Sequence, residues 1–585
     1  MLRALAASDL MRGVLLVLVV VLTWCTVERR LSRRNWRTPM IAESDALELL
    51  AMEKAAAEGN WPFVRSKINH SLGAPWSANW NDYPSTEEPI IAFGGVLARQ
   101  LGIFTASNIL VLMAHVLAAL SFFFVCRVLA WKWQWAITGA VAFGLSNFAF
   151  QRGLPHLGIA YYWHIPLCLL VCGWCASRRG LGLGGRQFWV AISVAVVTGM
   201  HNVYFTNIFL QLLGFCALFQ AIRRQSWKRV FAPLLVGAAA VLGFLIMNLD
   251  TFYYQVRHGV NTRAALRIYQ DVERYSLKPL DLLIPPPNHR WKFAGKIGRD
   301  YVQDETKKIL VVGESFSQYL GLLGVAGLVY LAASTLVSLS YLPVRNVPVQ
   351  AIQITWLILY SVMGGVNGAL GQLGFVLFRC TNRYSIYILA IILLFTVREL
   401  SRLTRRWNTP MVAIGAIFLV WLIIWDQTPP SLTQDSIDRV EQRLASDRAF
   451  TNALEQRLPP KAMVFQMPAA RFPEFGPTGQ MADYEHLRPY LFSKKLHFSY
   501  GDDKGRGRED WQFQAERLPP DQLVRALKDC GFAAIYVNTK GYPDRAQGLL
   551  EGLHAATGSP IIDSHDRELA AIVLATVPDT MNPSR

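Results

Sequence analysis

The chain has 585 residues, 52% of them hydrophobic and only 17% charged, with a mean hydropathy of +0.25, whereas soluble domains carry about 25% charged residues. That balance excludes an ordinary soluble protein and makes membrane spans the unit to count. The net charge of +17 does not point to nucleic acid. Much of it lies in short clusters beside apolar runs: Arg178, Arg179 and Arg186; Arg223, Arg224, Lys228 and Arg229; Arg398, Arg402, Arg405 and Arg406. Such clusters mark cytoplasmic loops. Of the cysteines only Cys530 lies away from the apolar runs, and Cys172-x-x-Cys175 has no second ligand pair, so neither a disulfide framework nor a zinc site is legible.

The first apolar run, 12–27, is followed by arginines and by no small-residue cleavage site, which favours a retained anchor over a signal peptide. Further runs near 105–128, 133–150, 158–176, 187–201, 203–222, 231–249, 317–341, 350–364, 378–398 and 411–428 bring the expected spans to about eleven. If the three arginine-rich loops are cytoplasmic, the amino terminus is inside and residues 28–104, 250–316 and 430–585 share the opposite face. Arg29, Arg30, Arg33, Arg34 and Arg37 alone would orient the first span the other way; three later loops outvote them. The expected organisation is a polytopic α-helical membrane domain over 1–429, with outer loops 28–104 and 250–316, and a soluble domain over 430–585.

Two outer loops of more than sixty residues are long for connections between helices, which run about 2–8 residues, so the outer face is where work is expected. In the first loop Ser44 can cap a helix that begins at Asp45 and carries Leu47, Leu50 and Ala51 as an apolar stripe. The helix ends at Gly59 and is followed by Asn60-Trp61-Pro62-Phe63. The chain continues through Asn79-Trp80-Asn81-Asp82-Tyr83-Pro84 to a second apolar stretch, Pro89 to Phe104, interrupted by Gly94, Gly95 and Arg99 and expected to lie along the interface.

An acidic residue opening a juxtamembrane helix after the first span, a small-Asn-Trp turn, a proline and a second interfacial helix together resemble the glycosyltransferase-C (GT-C) superfamily. Asn79 to Pro84, Arg152-Gly153-Leu154-Pro155-His156-Leu157, Asp281-Leu282-Leu283-Ile284-Pro285 with His289, and Phe378-Arg379 with Asn382-Arg383-Tyr384 look like a bacterial branch of it with a carboxy-terminal periplasmic domain. The resemblance implies an inner-membrane enzyme that moves a sugar from a polyprenyl-phosphate donor to an envelope glycan, lipid or protein on the periplasmic face.

Such a transfer needs a carboxylate to take the acceptor's proton and cations or a metal to hold the departing phosphate. The resemblance puts the base at Asp45, with Asp82 as the alternative. An acid in a helix's first turn also simply complements the macrodipole, and Asp82 before Pro84 also suits an Asx turn. The loop after the third span, Gln151 to His156, lacks the second carboxylate that metal-using members carry there. The expectation is therefore a site without cofactor or metal, its phosphate held by Arg152, His156, Arg257, His258, Arg263, His289, Arg290, Arg379 and Arg383. Interfacial arginines also serve as headgroup anchors without any active site. A transporter or lipid flippase would place charge in mid-span, where this chain is apolar; a non-catalytic scaffold of the same architecture stays compatible with the missing carboxylate.

Residues 430–585 alternate strand patterns, Ala462 to Met467, Ala533 to Val537 and Ala570 to Leu574, with helical patterns, Asp521 to Lys528 and Asp544 to Leu553. This reads as a small α/β domain without a phosphate-cradling glycine loop, fit to guide an acceptor or partner. Its densest polar cluster, Asp483, Glu485, His486, Arg488 and Tyr490, reads equally well as a solvated loop.

Overall fold

A computed structural model describes residues 7–60, 67–82, 88–223, 225–308, 317–341 and 347–574. Trp61-Pro62-Phe63 and Tyr83-Pro84 lie outside the described residues. The chain forms two compact units. One comprises the chain up to Arg33, Ile109–Met247 and Arg267–Leu432; the other comprises Arg34–Asn108, Asn248–Leu266 and the residues from Thr433 onward.

The first unit is all helical. Six helices of the described chain are long and apolar enough to cross a membrane: Ala7–Val27, Ile103–Val128, Val203–Ile222, Trp227–Met247, Gly321–Ser340 and Thr409–Gln427. Three apolar helices are shorter: Ile165–Ala176, Arg186–Gly199 and Val349–Ser361. The structure does not reproduce eleven uniform spans, and the reasons are local. The expected span 133–150 is two helices, Trp133–Gly144 and Asn147–Arg152, divided where the Ser146 hydroxyl accepts the Ala149 N–H at 3.3 Å and starts a new helix. The expected span 158–176 turns continuously helical only at Ile165. Trp133–Gly144 is buried along nearly its whole length; a break in the backbone is tolerated at such a place because protein surrounds it. The last long helix before Thr409 is Ser385–Leu403, which carries Arg398, Glu399 and Arg402 in its final turns.

Small residues set the closest helix pairing. Arg186–Gly199 lies on Trp227–Met247 so tightly that a Cβ on Gly199 would strike the Ala240 carbonyl, and one on Gly243 the Val196 carbonyl. Without a hydrophobic drive between helices in lipid, backbone approach over small residues is what packs them.

The second unit holds a five-stranded sheet. Met463–Met467 runs parallel to His497–Phe498 on one side and to Phe532–Asn538 on the other. Leu569–Val573 pairs antiparallel with Phe532–Asn538 and with Ile561–Asp563. The amphipathic helix Pro520–Asp529 buries Leu523, Val524 and Leu527 in the core that also holds Phe465, Ile535 and Val537. The expected α/β domain is therefore present. It is joined by what was expected to be outer loop: the helices Asp45–Ala57 and Glu88–Leu101 belong to this unit and pack on each other with Gly95 directly against the Ala56 backbone. A break at Gly102, whose φ of +83° suits glycine, separates Glu88–Leu101 from Ile103–Val128.

Replacing Gly199 or Gly243 by leucine forces a Cβ into a backbone carbonyl. Each variant is expected to lose about 1–3 kcal/mol or fail to fold, read as a lowered melting temperature or loss of the monodisperse peak in detergent, while Gly214→Leu, with open space around it, stays near wild type.

Candidate active site

Asp45 opens the helix Asp45–Ala57 and is half-buried. The preceding Ser44 has a φ of +49° and makes no side-chain cap to the helix, contrary to its expected role; its hydroxyl instead lies 3.5 Å from Asp45 Oδ1. One turn further on, Glu48 has its Oε1 out of reach of solvent and of any protein donor. Burial pushes the Glu48 carboxyl well above the usual carboxylate range, and the neighbouring Asp45, Glu474 and Asp483 carboxylates push it further, against a hydrogen bond from Tyr484. Its surroundings thus favour the protonated form of Glu48 beside Asp45. Among the described residues, no three His, Cys, Asp or Glu side chains are placed to hold a metal ion.

A charge network fixes this helix. Just before it, Glu43 accepts from Arg443 Nη1 at 2.7 Å, and Arg443 Nη2 reaches Glu485 at 3.1 Å. Lys540 lies 2.9 Å from the same carboxylate, and Asn538 donates to it at 3.1 Å. Arg488 grips Asp447 through two bonds of 2.9 and 2.6 Å and reaches Glu568 at 2.7 Å. Glu485, His486, Arg488 and Tyr490 are each at most 1% exposed: the cluster that could have been a solvated loop is a buried ionic core. At the helix's other end Lys54 pairs with Glu58 and lies over the Tyr490 ring, whose hydroxyl donates to Glu58 at 3.0 Å.

Asp82 is differently placed. It is 4% exposed and both its oxygens are taken: Arg506 donates to Oδ1 and Oδ2 at 2.6 Å each, and Asn261 to Oδ2 at 3.0 Å. The same guanidinium donates to the carbonyls of His258 and Gly259, so Asp82 ties three segments together and is held in a buried bidentate pair. Nearby, the helix Leu249–His258 carries Arg257 and His258 in its last turn and ends before Arg263. Arg257 lies over the Tyr253 ring at 4.8 Å, His258 packs on Tyr254, and Arg263 is exposed. These three side chains make no hydrogen bond among the described residues. In the same unit Lys67 is fully buried and pairs with Glu88 and with Asp250 of the helix Leu249–His258.

The other six expected phosphate ligands belong to the helical unit. Arg152 is 2% exposed, donates to Ser317 Oγ at 3.1 Å and lies over Phe148. His156 begins the one-turn helix Leu157–Ala160, half-buried. His289 has both ring nitrogens occupied: Nδ1 accepts the Trp291 N–H at 3.0 Å and Nε2 faces Asp426 at 3.2 Å. Arg290 donates to the carbonyls of Thr428 and Pro429. The His289-Arg290 pair after the prolines is thus a structural pin. Arg379 pairs with Asp271 at 3.2 Å and lies above Tyr275, and Arg383 lies over Tyr204. Asp426 was not singled out in the sequence. It receives His289, the Tyr319 hydroxyl at 3.0 Å and the Leu322 N–H at 2.7 Å, where the helix from Gly321 begins. A carboxylate at the end of an apolar run is the signal that marks it, since charge there is costly unless paired.

The chain has the fold of ArnT, in agreement with the resemblance to the GT-C superfamily read in its sequence. It aligns with ArnT from Cupriavidus metallidurans, crystallised with undecaprenyl phosphate, over 99% of this chain and 100% of that one, at 13% identity and a TM-score of 0.53. The archaeal oligosaccharyltransferase AglB from Archaeoglobus fulgidus aligns over 99% of this chain and 75% of its own, at 10% identity and a TM-score of 0.44. The mycobacterial arabinofuranosyltransferase AftD aligns over 99% and 42%, at 12% identity and a TM-score of 0.46. No family model matches the sequence, and no curated protein does.

Two stability measurements test this geometry. Burial alone would raise the Glu485 carboxyl, but Arg488, Arg443 and Lys540 together outweigh it and hold the group at about 2, below its ordinary 4.5. A lowered folded-state value stabilises fully above the ordinary value and is lost as pH falls from 4.5 through 2, a loss of about 3 kcal/mol. Melting of the full chain in detergent across that window should show the loss, and Glu485→Gln should flatten it. Separately, Asp82→Ala leaves Arg506 without its partner and Arg506→Ala leaves Asp82 buried and unpaired; each is expected to cost about 3 kcal/mol, and the double variant less than their sum.

Proposed function

We propose that the chain is a glycosyltransferase of the bacterial inner membrane that moves a sugar from a polyprenyl-phosphate donor to an envelope glycan, lipid or protein. One observation carries this reading: the fold matches ArnT, crystallised with undecaprenyl phosphate, across the full length of both chains. In the proposed topology the amino terminus is cytoplasmic, the protein is multi-pass, and Asp45 and the sheet face the periplasm.

The chemistry is a single inverting displacement. The acceptor oxygen attacks the anomeric carbon, the bond from that carbon to the phosphate oxygen breaks, polyprenyl phosphate leaves, and the acceptor's proton passes to a base. Asp45 is that base: it opens the helix Asp45–Ala57 half-exposed, whereas Asp82, the other acid considered, is held in a buried pair with Arg506. Arg257, His258 and Arg263, in the same unit as Asp45 and without hydrogen-bond partners among the described residues, are the cations offered to the phosphate. No metal is invoked.

The test is transfer or release of labelled sugar by the purified full chain from a panel of polyprenyl-phosphate sugars. Asp45→Asn is expected to lower turnover about 10²–10⁴-fold, the usual weight of a general base, with donor retention by native mass spectrometry unchanged. Asp82→Asn should lose stability and activity together. Full turnover by a folded Asp45→Asn variant overturns the assignment.

A further inference from the structure

The helical unit contains a cavity of about 300 Å³ between the carboxy-terminal ends of Ile165–Ala176, Val203–Ile222 and Ser385–Leu403 and the amino-terminal end of Val349–Ser361, a volume at the low end for ligand sites. Its walls are apolar and aromatic, with Trp131, Trp174, Phe215 and Trp356 among them. Phe215 and Trp356 meet edge to face at 5.0 Å, and the Trp356 indole N–H is satisfied by Gln211 at 2.8 Å. Gly173 also lines it, and a Cβ there would meet nothing within 4 Å.

Polar groups are few and stand at helix ends. Gln350 and Gln353 lie in the first turns of Val349–Ser361, and Arg398 in the last turns of Ser385–Leu403. The Gln350 Oε1 is shielded from solvent and has no partner. Arg398 gives only Nε to Glu399, at 2.9 Å, so its terminal nitrogens are open among the described residues. This is also the basic end of the unit: Gln220 donates to the carbonyls of Cys175 and Ser177, and Arg223 to that of Ala176, which brings the loops bearing Arg178, Arg179, Arg223 and Arg229 together. The acids at this end are each shared by two arginines: Glu399 by Arg398 and Arg402, and Asp9 by Arg12 and Arg127, which also donates to the carbonyl of the cavity-lining Trp131.

We propose that this cavity holds one chain of an anionic phospholipid, with the phosphate and headgroup at Arg398 and the acyl chain among the aromatic side chains. Charge complementarity selects the occupant: an apolar slot alone would take any lipid tail, but a guanidinium at its mouth amid several further basic side chains selects an anionic headgroup. The assignment is independent of the proposed reaction, whose residues lie elsewhere in the chain.

The probes are phosphatidylglycerol and phosphatidylcholine with matched chains, added to the delipidated full chain and read by native mass spectrometry, with tryptophan quenching by brominated phosphatidylglycerol as a second readout. One retained phosphatidylglycerol, favoured over phosphatidylcholine about fivefold, is expected. Gly173→Trp fills the slot and should abolish retention; Arg398→Gln should leave retention but remove the preference. Equal retention of both lipids by the wild type, undiminished retention by a folded Gly173→Trp chain, or displacement of phospholipid by equimolar undecaprenyl phosphate each overturns the proposal. Should Gly173→Trp not fold, the loss or persistence of preference in Arg398→Gln decides it.

Discussion

Glu485 is the point on which the second unit turns. It is buried, and three cations and an amide converge on it: Arg488, Arg443, Lys540 and Asn538. Arg443 then continues to Glu43, two residues before the proposed base. Buried ion pairs rarely add net stability, because desolvation offsets attraction; what they fix is geometry, since a charge left without its partners is costly. The segment leading into the Asp45 helix is therefore tied at Glu43 to Arg443, 400 residues away in sequence, and the helix's far end is held by Lys54, Glu58 and Tyr490. A group that must act on a substrate has to be held to within about half an ångström, and this network is what can do so. The segment Glu485–Phe492 of the carboxy-terminal domain, expected to guide an acceptor, also packs against the Asp45 helix.

The same long-range pairing explains where sequence reading stopped. Apolar periodicity identified the Asp45 helix, its start and the strands of the sheet, because those depend on neighbours within a few positions. It could not identify that Trp80 donates to the Gly501 carbonyl at 2.6 Å or that Asp82 meets Arg506, contacts that lie within the unit holding the sheet. The arginine cluster after the first span, which alone would orient that span the other way, is largely engaged within the protein. Arg30 is buried beside Glu28, Arg29 donates to the Leu432 carbonyl, and Arg34 pairs with Glu441 at 2.7 Å and Asp438 at 3.2 Å. A rule that counts free cations near a membrane overcounts arginines that the protein itself neutralises.

In the helical unit the limit was of another kind. Window hydropathy assumes that each span crosses lipid alone, whereas Trp133–Gly144 is enclosed by other helices and can be short and followed by a break at Ser146. Histidine and arginine near a rigid proline turn carry the composition of a phosphate site, yet only atom-level bookkeeping reveals that both His289 nitrogens and the Arg290 fork are already used. Asp426 escaped notice because a lone acid at a helix end looks like a boundary residue; its three donors make it the organiser of the start of the helix from Gly321.

Composition could not separate Asp45 from Asp82, since both are acids in the first outer segment beside tryptophan and asparagine. Their surroundings separate them. A base needs a lone pair that a hydroxyl can reach and a charge that proton uptake relieves. Asp82 has spent both oxygens on a guanidinium and an amide, and protonating it would break a buried pair. Asp45 stands half-exposed, and its carboxylate joins those of Glu474 and Asp483 in pushing the buried Glu48 upward. The proposed base is therefore Asp45 rather than Asp82, which is held in its buried guanidinium pair.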